Sequence, residues 1–426
     1  MFRSLRLFNY RIWFFGALVS NIGTWMQRTA QDWLVYDILT NQDAAAMGIV
    51  MALQLGPQLL LAPWSGLIAD SYNRRKVLLM TQISMGALGL ALGLLVISGQ
   101  AQLWHVYAFA LALGMVSAVD GPARQAFVSE VVSERDLPNA VALNSASFNG
   151  ARMIGPAVAG LLTVAVGPGL VFVLNAVTFG AMVLALLNMR AGELRVLPKA
   201  PPGKGRIRAG LAYVRHRPDL IMVMLAIFIV GTFGMNFAIY IAAMARTEFG
   251  RDAGTFGLLN SVMAIGSVAG ALLSARRDRP RLRFVFGAAG AFGLFCILSA
   301  AAPTLILFGL SLIPVGLSAL TLMTSANAYV QTTTAQVMRG RVMALYFAIF
   351  MGGTPLGAPV VGWVSDSFGP RWSLGVAAAS GLLAAAIGFV WAWRTYGMRF
   401  HYDRNLPRRL SMTTDTPEKA QDPDSA

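Results

Sequence analysis

Charge is scarce in this chain: only 12% of its 426 residues are Asp, Glu, Lys or Arg. A water-facing globular surface carries about twice that share. Hydrophobic residues make up 56%, and mean hydropathy is +0.60. A soluble enzyme and a disordered chain are both excluded. Cysteine is nearly absent as well: Cys296 stands alone in an apolar run, which excludes an intrachain disulfide, a disulfide scaffold and a cysteine metal cluster. Histidine occurs only at positions 105, 216 and 401, too dispersed to suggest a metal site. There is no phosphate-cradling glycine loop followed by Lys-Ser/Thr, so ATP drive within the chain is not expected. The reading is of a non-enzyme with no cofactor and no bound metal.

What the chain does contain is apolar sequence in blocks. A membrane-crossing helix needs about 20 mostly apolar residues. Such stretches fall at 11–36, 44–68, 77–98, 103–122, 138–165 and 169–190, then at 220–245, 254–274, 284–302, 304–326, 341–366 and 372–394. The N-terminal run MFRSLRLFNYRIWFFGALVS lacks a small-residue cleavage site after it and reads as the first span rather than a removed signal peptide. The expected class is therefore an all-α membrane protein with twelve spans in two six-helix bundles, 1–190 and 220–394. A Pro/Gly-containing central loop at 191–219 joins them, and the tail at 395–426 is expected to be disordered.

Basic residues set the orientation. Of the 34 Lys and Arg, 29 fall on the side shared by both termini, three on the other (Arg246, Arg251, Arg371), and two within spans. Both termini are thus expected in the cytoplasm. The net charge of +15 follows from topology rather than from nucleic-acid binding, which is not expected. Arginine far outnumbers lysine, which suggests a GC-rich bacterial source and hence an inner-membrane location.

A repeat supports the two-bundle reading. Shifted by 202 residues, 140–168 overlies 342–370, matching Gly150 with Gly352, Gly155 with Gly357, Gly160 with Gly362, and the Gly-Pro pairs at 167–168 and 369–370. Spans 5 and 11 are therefore equivalents, and two such bundles facing each other leave a cavity between them.

Between spans 2 and 3 the chain reads Gly66-Leu-Ile-Ala-Asp70-Ser-Tyr-Asn-Arg74-Arg75-Lys76. This resembles the G-x-x-x-D-x-x-G-R-R/K signature of the major facilitator superfamily. Gly66 would allow close helix approach, and Asp70 would pair with arginine in a lock on the cytoplasmic side. Asn73 replaces the usual glycine and is expected in a left-handed backbone position. The segments 20–39, 120–130, 137–162 and 210–220 are similar to the branch that contains the bacterial enterobactin exporter and related efflux permeases. Gly155, Pro156 and Gly160 resemble the G-P-x-x-G-G antiporter signature of exporters, with Ala159 in place of a glycine; ordinary small-residue packing is the alternative. Drug–proton antiporters of the superfamily carry an arginine in span 4, and this chain has none at 103–119.

Ionisable residues inside a membrane are expensive and usually functional. In span 1, Asn21, Thr24, Arg28, Gln31 and Asp32 share one stripe, with Arg28 and Asp32 spaced to pair. In span 5, Arg152 shares a face with Ser145, Asn149 and Pro156. The resemblance implies that both spans line the cavity, so Asp32 has two arginines within reach and the site is net positive, suited to an anionic group. Asp32 is expected to exchange partners or take a proton as substrate binds; a static ion network is the alternative. Thr232, Asn236 and Tyr240 add a polar-aromatic face in span 7. Asp120, with Arg124, is placed in the cytoplasmic closing network alongside Gly66, Asp70, Arg74 and Arg75.

The expectation is a monomeric secondary transporter in the lipid bilayer. It would export a small amphipathic molecule, siderophore or drug, by alternating access with protons as coupling ion. An uptake facilitator is the alternative, and a membrane-embedded sensor or enzyme a distant third.

Overall fold

In lipid the backbone amides must be satisfied within the chain, and the apolar blocks accordingly fold as helices. The computed structural model describes residues 3–195, 206–275, 281–396, 399–402 and 410–413. The first half holds α1 (Phe8–Trp33, continued by a π-helical turn, Leu34–Leu39), α2 (Ala44–Leu60), α3 (Ala62–Ser71), α4 (Arg74–Ile97), α5 (Leu103–Val131), α6 (Leu137–Val166) and α7 (Pro168–Leu187). A connecting helix, α8 (Arg206–Arg215), precedes the second half. There follow α9 (Pro218–Phe233), α10 (Phe237–Ala243, continued by the π-helical Met244–Glu248), α11 (Ala253–Ala275), α12 (Leu282–Ala300), α13 (Leu305–Thr333), α14 (Gln336–Phe368) and α15 (Pro370–Tyr396).

Ten of the described helical segments are long and apolar enough to cross a membrane. Two further spans complete the twelve. One is α1, whose hydropathy is lowered by its polar stripe. The other is α2 with α3, which are separated at Leu61, flanked by Pro57 inside α2 and Pro63 at the start of α3. Span 7 is also interrupted, between α9 and α10. Helices α5 and α13 run to Val131 and Thr333, well past the expected 122 and 326. Hydropathy registers the lipid-crossing part of a helix, and the polar turns beyond it are invisible to such a window. Two short strands, β1 (Arg399–Tyr402) and β2 (Leu410–Thr413), pair antiparallel in the tail expected to be disordered; the rest of that tail lies outside the described residues.

The repeat is visible in the helix junctions. Gly167 ends α6 with φ +82° and Gly369 ends α14 with φ +100°, each followed by proline as the first residue of the next helix. Glycine alone takes that backbone without strain, and proline there loses no hydrogen bond.

The halves meet along two equivalent helix pairs, α6 with α11 and α14 with α2. A Cβ on Gly160 would lie 2.6 Å from the Ala253 carbonyl oxygen, and one on Gly362 would lie 2.3 Å from that of Ala44. The backbones therefore touch, as small residues permit in membranes. Hydrogen bonds between the halves run from the end opposite the termini down to Ser261, whose hydroxyl donates to the Met153 carbonyl at 2.6 Å. Toward the end carrying the termini, no hydrogen bond or ion pair joins the two halves among the described residues.

Candidate substrate cavity and gates

A cavity of about 190 Å³ lies between the halves, lined by α1, α2, α6, the α9–α10 break and α11. Trp25, Arg28 and Asp32 come from α1, Arg152 and Pro156 from α6. The charged residues expected from the sequence to converge do so. Their partners differ from expectation. No ion pair joins Arg28 or Arg152 to Asp32 among the described residues. Instead both guanidiniums lie near one indole, with Arg28 Cζ 5.3 Å and Arg152 Cζ 5.6 Å from the Trp25 ring centroid. Trp25 was not foreseen, because tryptophan in an apolar run looks like any lipid-facing residue. Gln54 and Asn260 also reach the cavity, beside apolar Met51, Met235, Phe237 and Phe256.

Three expected contacts fall elsewhere. Asn149 does not line the cavity; its amide donates to the Ser145 carbonyl at 2.8 Å. Asn236 and Tyr240 are fully buried. The continuous helix that would have aimed them at substrate is broken at residues 234–236, and both side chains turn back to hold that break. Asn236 donates to the Thr232 carbonyl at 2.8 Å, and the Tyr240 hydroxyl donates to the Phe233 carbonyl. Gly353 and Gly357 of α14 let its backbone lie against Thr232 just before the break: a Cβ on Gly357 would fall on the Thr232 carbonyl oxygen.

At the end of the termini, the side chains of Gly66 and Asp70 lie outside the described residues. Arg74 pairs with Glu130 at 2.6 Å, and Arg75 donates to the Leu186 and Leu187 carbonyls at the end of α7. Asn73 is not left-handed as expected. Its φ is −65°, and its side chain caps α4 by accepting from the Lys76 N–H; an Asn at a helix start gains more as N-cap than as a turn residue. Buried Asp120 accepts from Thr81 at 2.7 Å, Gln82 at 2.8 Å and Arg124 at 3.1 Å, all in the first half.

The opposite end is latched. Asp37 accepts from Arg246 at 2.6 Å, the Tyr36 and Thr247 hydroxyls share a 2.7 Å bond, and Thr247 donates to Gln42. The two oxygens of Asp366 accept the backbone N–H groups of Ala44 and Ala45, each at 2.9 Å, so a carboxylate of the second half caps a helix of the first. The signal in the sequence was Arg246, a basic residue on the side that has almost none.

Of the antiporter-like residues, Gly155 packs α6 on α1 within the first half, while Pro156 and Gly160 pack it on α11 of the second. A Cβ on Gly155 would lie 2.6 Å from the Trp25 Cβ, Gly160 meets Ala253, and the Pro156 carbonyl meets Gly257.

The profile described as transmembrane secretion effector matches residues 2–405. The staphyloferrin A transporter of Staphylococcus aureus is 22% identical over 362 residues, covering 84% of this chain and 90% of that one. The enterobactin exporter EntS of Shigella boydii is 28% identical over 335 residues, 76% and 77% of the two chains. Among solved structures, a bacterial homologue of the human lysosomal transporter Spinster, inward-facing and occupied, superposes with TM-score 0.73 at 14% identity, covering 90% of this chain and 96% of the other. A POT family transporter gives TM-score 0.73 at 12% identity over the same shares. With this architecture and a family match across nearly its whole length, the chain belongs to the transmembrane secretion effector family of major facilitator transporters.

Proposed function

We propose that this transporter exports an anionic, amphipathic small molecule of the siderophore class across the bacterial inner membrane, by alternating access coupled to proton entry. The observation that carries the reading is the central cavity, whose lining includes two guanidiniums and one carboxylate with no ion pair between them among the described residues. An excess of one positive charge in a low-dielectric site attracts an anion and disfavours a cation. The likeness to a staphyloferrin A transporter and an enterobactin exporter supports the substrate class.

The positive-inside rule would make the end of the termini cytoplasmic, which puts the polar latch between the halves on the far side. Asp32 takes its proton from the far side in the outward-open form and releases it to the cytoplasm in the inward-open form, where a substrate anion then engages Arg28 and Arg152. With the anion neutralising the arginines, the bundles rock and the Asp37–Arg246 and Asp366–α2 contacts open.

The test uses everted membrane vesicles with an acidified interior, following the pH gradient as enterobactin or staphyloferrin A is added. Collapse of the gradient, lost in Asp32→Asn vesicles that contain normal amounts of folded protein, is the expected result. Gradient collapse undiminished in Asp32→Asn would remove the proton role from Asp32. Accumulation only into right-side-out vesicles would make the protein an importer.

A further inference from the structure

We propose that Trp25 is the recognition platform of this cavity, and that with Arg28 and Arg152 it forms a clamp for a flat aromatic oxyanion rather than an aliphatic polycarboxylate. The proposal rests on reading this cavity as the substrate site.

Three features point to this ligand. The first is donor supply. A guanidinium presents five N–H donors, yet among the described residues neither Arg28 nor Arg152 makes a hydrogen bond or an ion pair, and what each faces is the Trp25 ring. An oxyanion with two adjacent oxygens answers such donors in the bidentate manner of carboxylate recognition.

The second is fit. The cavity volume of about 190 Å³ compares with roughly 150 Å³ for a cavity that takes up benzene, so it admits one substituted ring. The rest of a larger molecule would lie outside the cavity. Phe237 and Phe256 supply apolar walls, and the thioethers of Met51, Met235 and Met263 adapt to what they meet. An aliphatic polyanion would bury its further carboxylates against those apolar walls without hydrogen-bond partners.

The third is preorganisation. The Trp25 ring meets Phe148 edge-on at 5.8 Å, and its backbone is received by Gly155, where any side chain would collide with the Trp25 Cβ. The indole is thus held in place before substrate arrives, which lowers the ordering cost of binding.

The test titrates the full-length protein in neutral-lipid nanodiscs with 2-hydroxybenzoate, citrate and benzyl alcohol, using calorimetry. We expect 2-hydroxybenzoate to bind about tenfold or more tightly than the other two, the range that base–aromatic stacking supplies elsewhere. Trp25→Leu, which keeps an apolar side chain but removes the π face, should weaken 2-hydroxybenzoate about tenfold while leaving citrate within about twofold, and Trp25→Phe should restore most of the loss. Arg152→Gln should weaken both anions. Elution and melting profiles check that each variant is folded, and if Trp25→Leu fails that check, Trp25→Met, which also lacks a π face, takes its place. Equal affinity for citrate and 2-hydroxybenzoate, an unchanged profile in the variant without a π face, or no saturable 2-hydroxybenzoate binding by the wild type would overturn the proposal. The vesicle assay stands apart: export without arene preference defeats the clamp alone, whereas arene binding without any transport defeats the exporter reading.

Discussion

Asp366 shows how much one side chain can decide. Its two oxygens hold the first N–H groups of α2 across the interface, and hydrogen bonds to a charged group contribute about 1.5–3 kcal/mol each in folded proteins. Asp366→Ala should therefore shift the population toward the outward-open form, by a factor of about 5–150 if the loss is 1–3 kcal/mol. Spin-label distances across the far end would read it, and an unchanged distance distribution would refute the latch. A second carboxylate, Asp252, precedes α11 and accepts from the Thr255 N–H at 3.0 Å, and this backbone bond is the main cause holding its pKa below the ordinary carboxylate range. A depressed pKa stabilises the fold above the unfolded-state value and loses that contribution as pH falls through the folded value. Asp252→Ala should thus lower stability by about 1 kcal/mol above about pH 4, with the gap to wild type closing at lower pH. Melting curves at two pH values would show a pH-independent gap if the idea is wrong.

At the scale of elements, the interruption of span 7 is what most alters the site. A glycine at 234 is permissive but does not enforce a break, and nothing local at 232–240 announces one. The contact at the break comes from over a hundred residues away, where Gly353 and Gly357 let α14 lie against the Thr232 backbone. Gly357→Ala should consequently reduce thermal stability by about 1–3 kcal/mol through overpacking. Gly150→Ala, where a Cβ meets nothing within 4 Å, should be neutral or slightly stabilising. Equal melting temperatures for the two variants would contradict this account of the interface. The same long-range dependence explains what could be read from the sequence. The equivalence of α6 and α14 and the convergence of Arg28, Asp32 and Arg152 follow from periodicity, charge and family resemblance. The turn of Asn236 and Tyr240 away from the cavity, the capping role of Asn73 and the approach of both arginines to Trp25 depend on neighbours that no local pattern specifies.

For the whole molecule, the halves are joined at the end opposite the termini by polar contacts from four elements, and are without cross-half polar contacts at the other among the described residues. Twelve spans were legible because the bilayer imposes a length rule on every segment. The end at which the halves are latched was not, since the contacts that join them pair residues far apart in the chain. Export of a siderophore-class anion through the arginine-lined cavity is the central claim. The direct test is to count radiolabelled enterobactin or staphyloferrin A accumulated by energised everted vesicles containing wild-type protein or an Arg28→Gln, Arg152→Gln double variant. The account predicts gradient-dependent accumulation by the wild type, reduced at least about tenfold in the double variant, as expected when charge-assisted contacts worth over 1.4 kcal/mol are lost. Equal accumulation by the two proteins would contradict it.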